Sequence, residues 1–267
     1  MNAVRVIYRK SALLIAILCM SGGMLAQDFS KFEKRWFLHD GDSLPYRLLL
    51  PEDFKTGEKY PMVLFLHGSG ERGADNEKQL THGAALFLND SVRKAFPAVV
   101  VFPQCGEGSS WAKIAIEGEW GNRQFTFFEN AEPTTEMLLL EGLLKQLRQS
   151  YPIKKNALYV GGLSMGGFGT FELVNRNPGL FAAAFPICGG ANPSIAHRLK
   201  RVDWWIFHGG ADDVVPSKYS TQMVEALKAK RANVTYSLYP AVKHNSWEYA
   251  FKEPNLLPWL FSKSKRR

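Results

Sequence analysis

An apolar run from Ala157 to Val160 leads into Gly161-Gly162-Leu163-Ser164-Met165-Gly166-Gly167-Phe168-Gly169. A stretch of helical character follows and stops at Asn177, before Pro178. Few folds accept such a segment. A strand that passes into a helix through so short a turn holds its central serine in a strained backbone conformation. The flanking glycines, Gly162 and Gly166, remove the side chains that would clash there. The strain lifts the serine hydroxyl above the carboxyl edge of a sheet. The start of the next helix also aims free N–H groups toward any negative charge that develops beside it.

The rest of the chain agrees with a parallel sheet covered by helices, because short apolar runs alternate with helical segments. Trp36-Phe37-Leu38 and Tyr46 to Leu50 flank His39-Asp40-Gly41-Asp42, which predicts an opening hairpin. Met62 to Leu66, Ala98 to Phe102, Ala182 to Ile187, Trp204 to Phe207 and Val234 to Tyr239 read as further strands, several of them buried on both faces. Thr134 to Gln149 places Leu139, Leu143 and Leu147 on one helical stripe. Ser217 is expected to cap a helix carrying Met223 and Leu227. Residues 104–130, after the fourth strand, fit no regular element. So long an irregular stretch in a compact domain predicts a lid or pocket wall.

Arg5, Arg9 and Lys10, the apolar run Ser11 to Met20 and the small residues ending at Ala26 read as a secretory signal peptide, residues 1–26. Residues 27–267 are then expected to form a single catalytic domain, secreted or periplasmic and not membrane-bound. Cleavage would lower the net charge from +8 to +5, because the leader carries three basic residues and no acidic one. Cys105 and Cys188 would remain, and an oxidising compartment leaves a disulfide between them open. No basic stripe interleaved with aromatics suggests nucleic acid. No ligand spacing suggests a metal, and no phosphate or dinucleotide loop suggests a cofactor. Neither metal nor cofactor is therefore expected.

A serine hydroxyl attacks a carbonyl only when a base takes its proton. In a fold with this turn the chain order is serine, acid, histidine. His244 lies late in the chain, in Lys243-His244-Asn245-Ser246-Trp247, after the last strand. The loop after Trp204 to Gly210 supplies the acid in Ala211-Asp212-Asp213-Val214-Val215-Pro216, where the spacing favours Asp212 and leaves Asp213 as the alternative. His208 is expected to pack beneath that loop. Ser164, Asp212 and His244 are thus the candidate catalytic set. Two backbone donors would complete an oxyanion hole: Met165, next to the serine, and Ser69 in His67-Gly68-Ser69-Gly70-Glu71-Arg72-Gly73, with Gly70 as fallback. Gly70, Glu71, Trp111 and Trp247 are candidate substrate contacts. Trp120 lies in the same irregular segment, and Arg72 is a further residue for the pocket mouth.

Leu64-Phe65-Leu66-His67-Gly68-Ser69-Gly70-Glu71-Arg72-Gly73, the serine turn, Phe207 to Pro216 and Lys243 to Trp247 together resemble bacterial secreted esterases of the α/β-hydrolase superfamily. These include a group labelled "predicted peptidases", near polyhydroxybutyrate-depolymerase-like, feruloyl-esterase-like and dienelactone-hydrolase-like enzymes. The resemblance runs from about Leu44 to Trp259. It implies an eight-stranded, mostly parallel sheet flanked by helices, and metal-independent cleavage of a small-molecule or oligosaccharide ester. A serine peptidase of the same fold and a non-catalytic periplasmic binding protein on that fold are the alternatives.

Overall fold

The computed structural model describes residues 28–119 and 121–265. The expected signal peptide and Trp120 lie outside these residues. Among the described residues ten strands occur, in chain order β1 (Glu33–His39), β2 (Asp42–Leu49), β3 (Tyr60–Leu66), β4 (Val99–Pro103), β5 (Ile114–Glu117), β6 (Gln124–Phe127), β7 (Ile153–Leu163), β8 (Ala183–Ile187), β9 (Asp203–Gly209) and β10 (Val234–Tyr239). The α-helices are α1 (Ala84–Leu88), α2 (Asp90–Ala95), α3 (Thr135–Ser150), α4 (Met165–Arg176), α5 (Ala196–Leu199), α6 (Lys218–Ala229), α7 (Trp247–Ala250) and α8 (Leu256–Phe261).

Eight strands make one sheet in the order β1-β2-β4-β3-β7-β8-β9-β10. The pairs from β4 to β10 are parallel, while β2 is antiparallel to both β1 and β4. This is the mostly parallel, eight-stranded arrangement expected from the sequence. The opening hairpin turns at Asp40 and Gly41, whose φ values of 50° and 89° suit a two-residue turn that needs positive φ at both positions.

The continuous apolar runs follow from burial on both faces. In β3, Met62, Leu64 and Leu66 enter one core, while Val63 and Phe65 enter the other. Val99 and Val101 oppose Val100 and Phe102 in the same way, and Trp204 and Ile206 oppose Trp205 and Phe207. The first core is closed by α3, α4 and α6, through Leu143, Phe171 and Met223 among others. The second is closed by α1 and α8, through Phe87 and Leu257. Thr134 caps α3 by accepting from the Met137 amide at 3.1 Å. Ser217 precedes α6 at the expected place, but its side chain makes no cap hydrogen bond.

Residues 104–130 are more regular than their sequence suggests. They contain β5 and β6, which pair as an antiparallel hairpin. Phe125 and Phe127 of this hairpin pack on Phe168 of α4 and Tyr219 of α6, with ring centroids 5.3–5.7 Å apart. The segment is therefore a packed wall.

Phe65 is fully buried and meets the rings of Phe102, Phe185 and Phe251. Phe65→Ala should cost about 3–5 kcal/mol of stability. Leu138→Ala, on the exposed side of α3, should stay within about 0.5 kcal/mol of the parent. Urea unfolding midpoints of the two variants test this.

Candidate active site

The carboxyl ends of β3, β7, β9 and β10 converge on one point, and the turn from β7 to α4 is its centre. Ser164 has φ 53° and ψ −116°, a strained combination for a residue with a side chain. Its amide donates to the Ile187 carbonyl at 2.9 Å, and its carbonyl accepts from Phe168 at 3.1 Å. Both backbone groups are thus committed, which holds the strain in place. A Cβ on Gly162 would lie 2.3 Å from the Gly166 carbonyl oxygen. One on Gly166 would lie 1.9 Å from that of Leu66. The turn closes only because both positions lack side chains.

The structure brings Ser164, His244 and Asp212 together. His244 Nε2 lies 2.9 Å from Ser164 Oγ, and Nδ1 lies 2.8 Å from Asp212 Oδ2. Nδ1–H donates to the carboxylate, which leaves Nε2 free to accept from the hydroxyl in the neutral ring. Asp212 Oδ1 accepts from the Val214 and Val215 amides, each at 2.9 Å. Asp213 points outward and pairs with Lys243 at 2.9 Å, so Asp212 is the one that meets His244. His208 packs beneath the loop as expected and also touches the carboxylate. Its Nε2 is 3.2 Å from Asp212 Oδ2 and 2.9 Å from the Val215 carbonyl. Both neighbours are acceptors, so Nε2 carries a proton.

Burial works against the charged form of Asp212, but hydrogen bonds from His208, His244 and Val215 outweigh it and hold the carboxyl well below its ordinary range. Burial likewise opposes a charged His244. The Asp212 carboxylate and the Cys188 sulfur override it and raise the imidazole above its ordinary value. His67 is the opposite case. Its burial dominates and lowers it to about 4. Nδ1 donates to the Gly68 carbonyl at 2.6 Å, and Nε2 accepts from the Cys105 amide at 2.9 Å. It is a neutral brace for the loop after β3.

Cys188 was legible in sequence only as a disulfide candidate. It is a free, buried thiol at φ 42°, and Cys105 is free as well. Cys188 Sγ lies within 4.8 Å of ligand atoms of both Asp212 and His244. Nothing in the local sequence marks it, because the contact joins the end of β8 to a loop more than fifty residues away.

Beside Ser164 opens a cavity of about 390 Å³. Met165 and Ser69 line it. Met165 opens α4, so its amide has no acceptor within the helix. Ser69 opens a short 3₁₀ turn, Ser69–Glu71, whose first hydrogen bond comes from Glu71 to Gly68. Gly70, the fallback donor, does not line the cavity. Three other expected contacts do not line this cavity either. Trp111 is fully buried, donates through Nε1 to the His67 carbonyl at 3.2 Å, and stacks edge-on with that ring. It supports the loop from behind. Glu71 turns away toward His82 at 3.7 Å. Trp247 stands edge-on to His244 with centroids 5.4 Å apart, outside the cavity lining. Arg72, named above for the pocket mouth, does line it, together with Phe125, Phe168, Val215 and residues of the 108–116 stretch. Phe125 and Phe168 meet in space from an insertion and a helix, so no local pattern announces them.

A model of the Esterase family, described as "Putative esterase", matches residues 41–252. The chain belongs to this family and, with it, to the esterases of the α/β-hydrolase fold. It is 27% identical over 157 residues to the bifunctional acetylxylan esterase/xylanase XynS20E of Neocallimastix patriciarum, a match covering 58% of this chain and 20% of that one. It is 29% identical over 133 residues to poly(3-hydroxyalkanoate) depolymerase C of Paucimonas lemoignei, covering 49% and 28%. Among solved structures, a thermostable esterase superposes with TM-score 0.80 at 35% identity, covering 88% of this chain and 64% of that one. A ferulic acid esterase shares the fold at TM-score 0.64 and 16% identity, covering 86% and 97%. The chain thus spans less than a third of these two curated relatives and just under two thirds of the thermostable esterase.

The environment of His244 makes a direct prediction. Its imidazole should titrate above the ordinary 6.5. Cys188→Ala removes one group that favours the charged ring and should move the midpoint down. Ring-proton NMR against pH reads both, and an unshifted or upward-moving midpoint in the variant would refute the assignment.

Proposed function

We propose that the chain is a secreted serine carboxylesterase acting through Ser164, His244 and Asp212 by way of an acyl-enzyme. The observation that carries this reading is the hydrogen-bonded chain from Ser164 through His244 to Asp212, set at the mouth of a cavity. In the forward step the Ser164 oxygen bonds to the ester carbonyl carbon, and the neutral form of His244, which gains population as pH rises through its raised pKa, takes the hydroxyl proton at Nε2. Asp212 holds the ring in the productive tautomer and offsets the charge of the imidazolium. The amides of Met165 and Ser69 receive the oxyanion. The alcohol leaves with the proton from His244, and water repeats the sequence to release the acid.

The substrates in this reading are acetyl or feruloyl esters of carbohydrates. Relatives named as an acetylxylan esterase and a ferulic acid esterase support that choice. In this reading residues 1–26 are the signal peptide and a catalytic domain follows them. Among the described residues, no helix is long and apolar enough to cross a membrane.

Ser164→Ala should lower kcat/KM on p-nitrophenyl butyrate by a factor on the order of 10⁴ or more with an unchanged melting temperature. Labelling by a fluorophosphonate probe should vanish with it. A panel of p-nitrophenyl acetate, methyl ferulate, acetylated xylan and a proline-containing anilide should show turnover of the esters. Turnover of the anilide alone would move the enzyme to the peptidases. Full activity in Ser164→Ala would end the mechanism.

A further inference from the structure

The charged residues that line the cavity beside Ser164 all have one sign. Arg72, Lys113 and Arg123 face it, and no aspartate or glutamate is among its lining residues. The excess of basic residues in the chain does not by itself account for this. The neighbouring groove over α3 and α4 is lined by Glu129, Glu132 and Glu172 as well as Arg176 and Arg198. Mixed charge is thus the pattern next door. Two acidic groups stand beside the cavity wall without lining it: Glu136, accepting a hydrogen bond from Ser109, and Asp212, accepting from the amides of Val214 and Val215.

Arg72 is the informative member. It follows the 3₁₀ turn that carries Ser69, so it stands on the oxyanion side of Ser164. Its guanidinium reaches the sulfur of Cys105, a weak acceptor. Its Nε is buried away from accessible space, so what Arg72 offers the cavity it lines is the positive charge of the group. A guanidinium beside a cavity matches one class of ligand well, a planar carboxylate that accepts from two of its N–H groups. Lys113 is exposed at the start of the hairpin wall and contributes a point charge at the rim. Arg123 adds to the field from the same hairpin while engaged with a neighbour of its own. Ile114, Phe125 and Phe168 line the cavity too, so the ligand has an apolar body as well as a charge.

We propose that this cavity selects esters that also carry a free carboxylate, with Arg72 and Lys113 as the residues that hold it. The inference rests on the esterase reading and narrows its substrate class. The carboxylate belongs either to the acyl part, as in the half-ester of a dicarboxylic acid, or to the alcohol part, as in an acylated uronic acid. In both cases the charge sits where the cavity cations reach it while the ester carbonyl lies at Ser164.

Matched ester pairs test this on the whole mature chain. On the acyl side, p-nitrophenyl hydrogen glutarate is compared with p-nitrophenyl valerate. On the alcohol side, 4-acetoxybenzoate is compared with its methyl ester. In at least one pair the charged member should have a kcat/KM higher by about tenfold, the scale of one charge-assisted contact. Arg72→Met should collapse that ratio. Lys113→Met, at an exposed position that tolerates change, should lower it in part. Rising ionic strength should erode it. Calorimetric binding of 4-acetoxybenzoate and its methyl ester to Ser164→Ala separates this inference from the esterase reading. Preferred binding of the anion without turnover in the wild type would uphold the pocket and sink the esterase. Turnover of neutral esters with equal or better rates and binding than their charged partners would overturn the pocket and leave the esterase standing. A charged-ester preference that survives both substitutions would also overturn it.

Discussion

The close approach of helix α4 to the ends of β3 and β7 governs this molecule. The helix can start where it does only because Gly162 and Gly166 bring backbone against backbone, including the Leu66 carbonyl at the end of β3. That contact sets the strained dihedrals of Ser164, and the Ile187 carbonyl of β8 holds its amide. The adjoining strand ends then bring in the remaining partners. β9 delivers His208 and the loop with Asp212, and β10 leads to His244. A single constraint of packing therefore determines where four separate loops must meet.

Within that meeting point, His67 and His244 are driven in opposite electrostatic directions, and His208 serves as a brace. His67 has carbonyl, amide and ring neighbours but no carboxylate, and burial keeps it neutral. His244 faces Asp212 and Cys188, which favour its charged form. His208 shares the same carboxylate oxygen and ties it to the base of the loop. Asp212 accepts from two amides on one oxygen and two imidazoles on the other. So saturated a carboxylate has little freedom to rotate, and its orientation becomes a property of the loop. The chain can thus hold a charge at low exposure because every lone pair of Asp212 is used.

Much of this was legible in the sequence. Continuous apolar runs identified the eight strands of the main sheet, and the glycines around Ser164 marked the turn. The order of serine, acid and histidine selected residues that do come together in space. Other features were hidden for physical reasons. Lys154, Lys155 and Asn156 belong to β7 but are exposed, so the strand begins earlier than its apolar signal. The β5–β6 hairpin has four-residue strands, too short for a clear alternation among glycines and charges. Trp111 was legible as an aromatic near the site, but its side of the loop was not, and it faces the core. Cys188, Phe125 and Phe168 act through contacts between elements distant in the chain, where local patterns carry no information.

The hairpin wall has one more property. Its aromatic rings rest on Phe168, four residues beyond Ser164 in the helix that follows it. The hairpin that lines the cavity and the serine beside it are therefore both mounted on α4. Ile116 and Arg123 line the cavity beyond that anchor, so changes at these two positions would alter its shape without touching the ring contacts on Phe168.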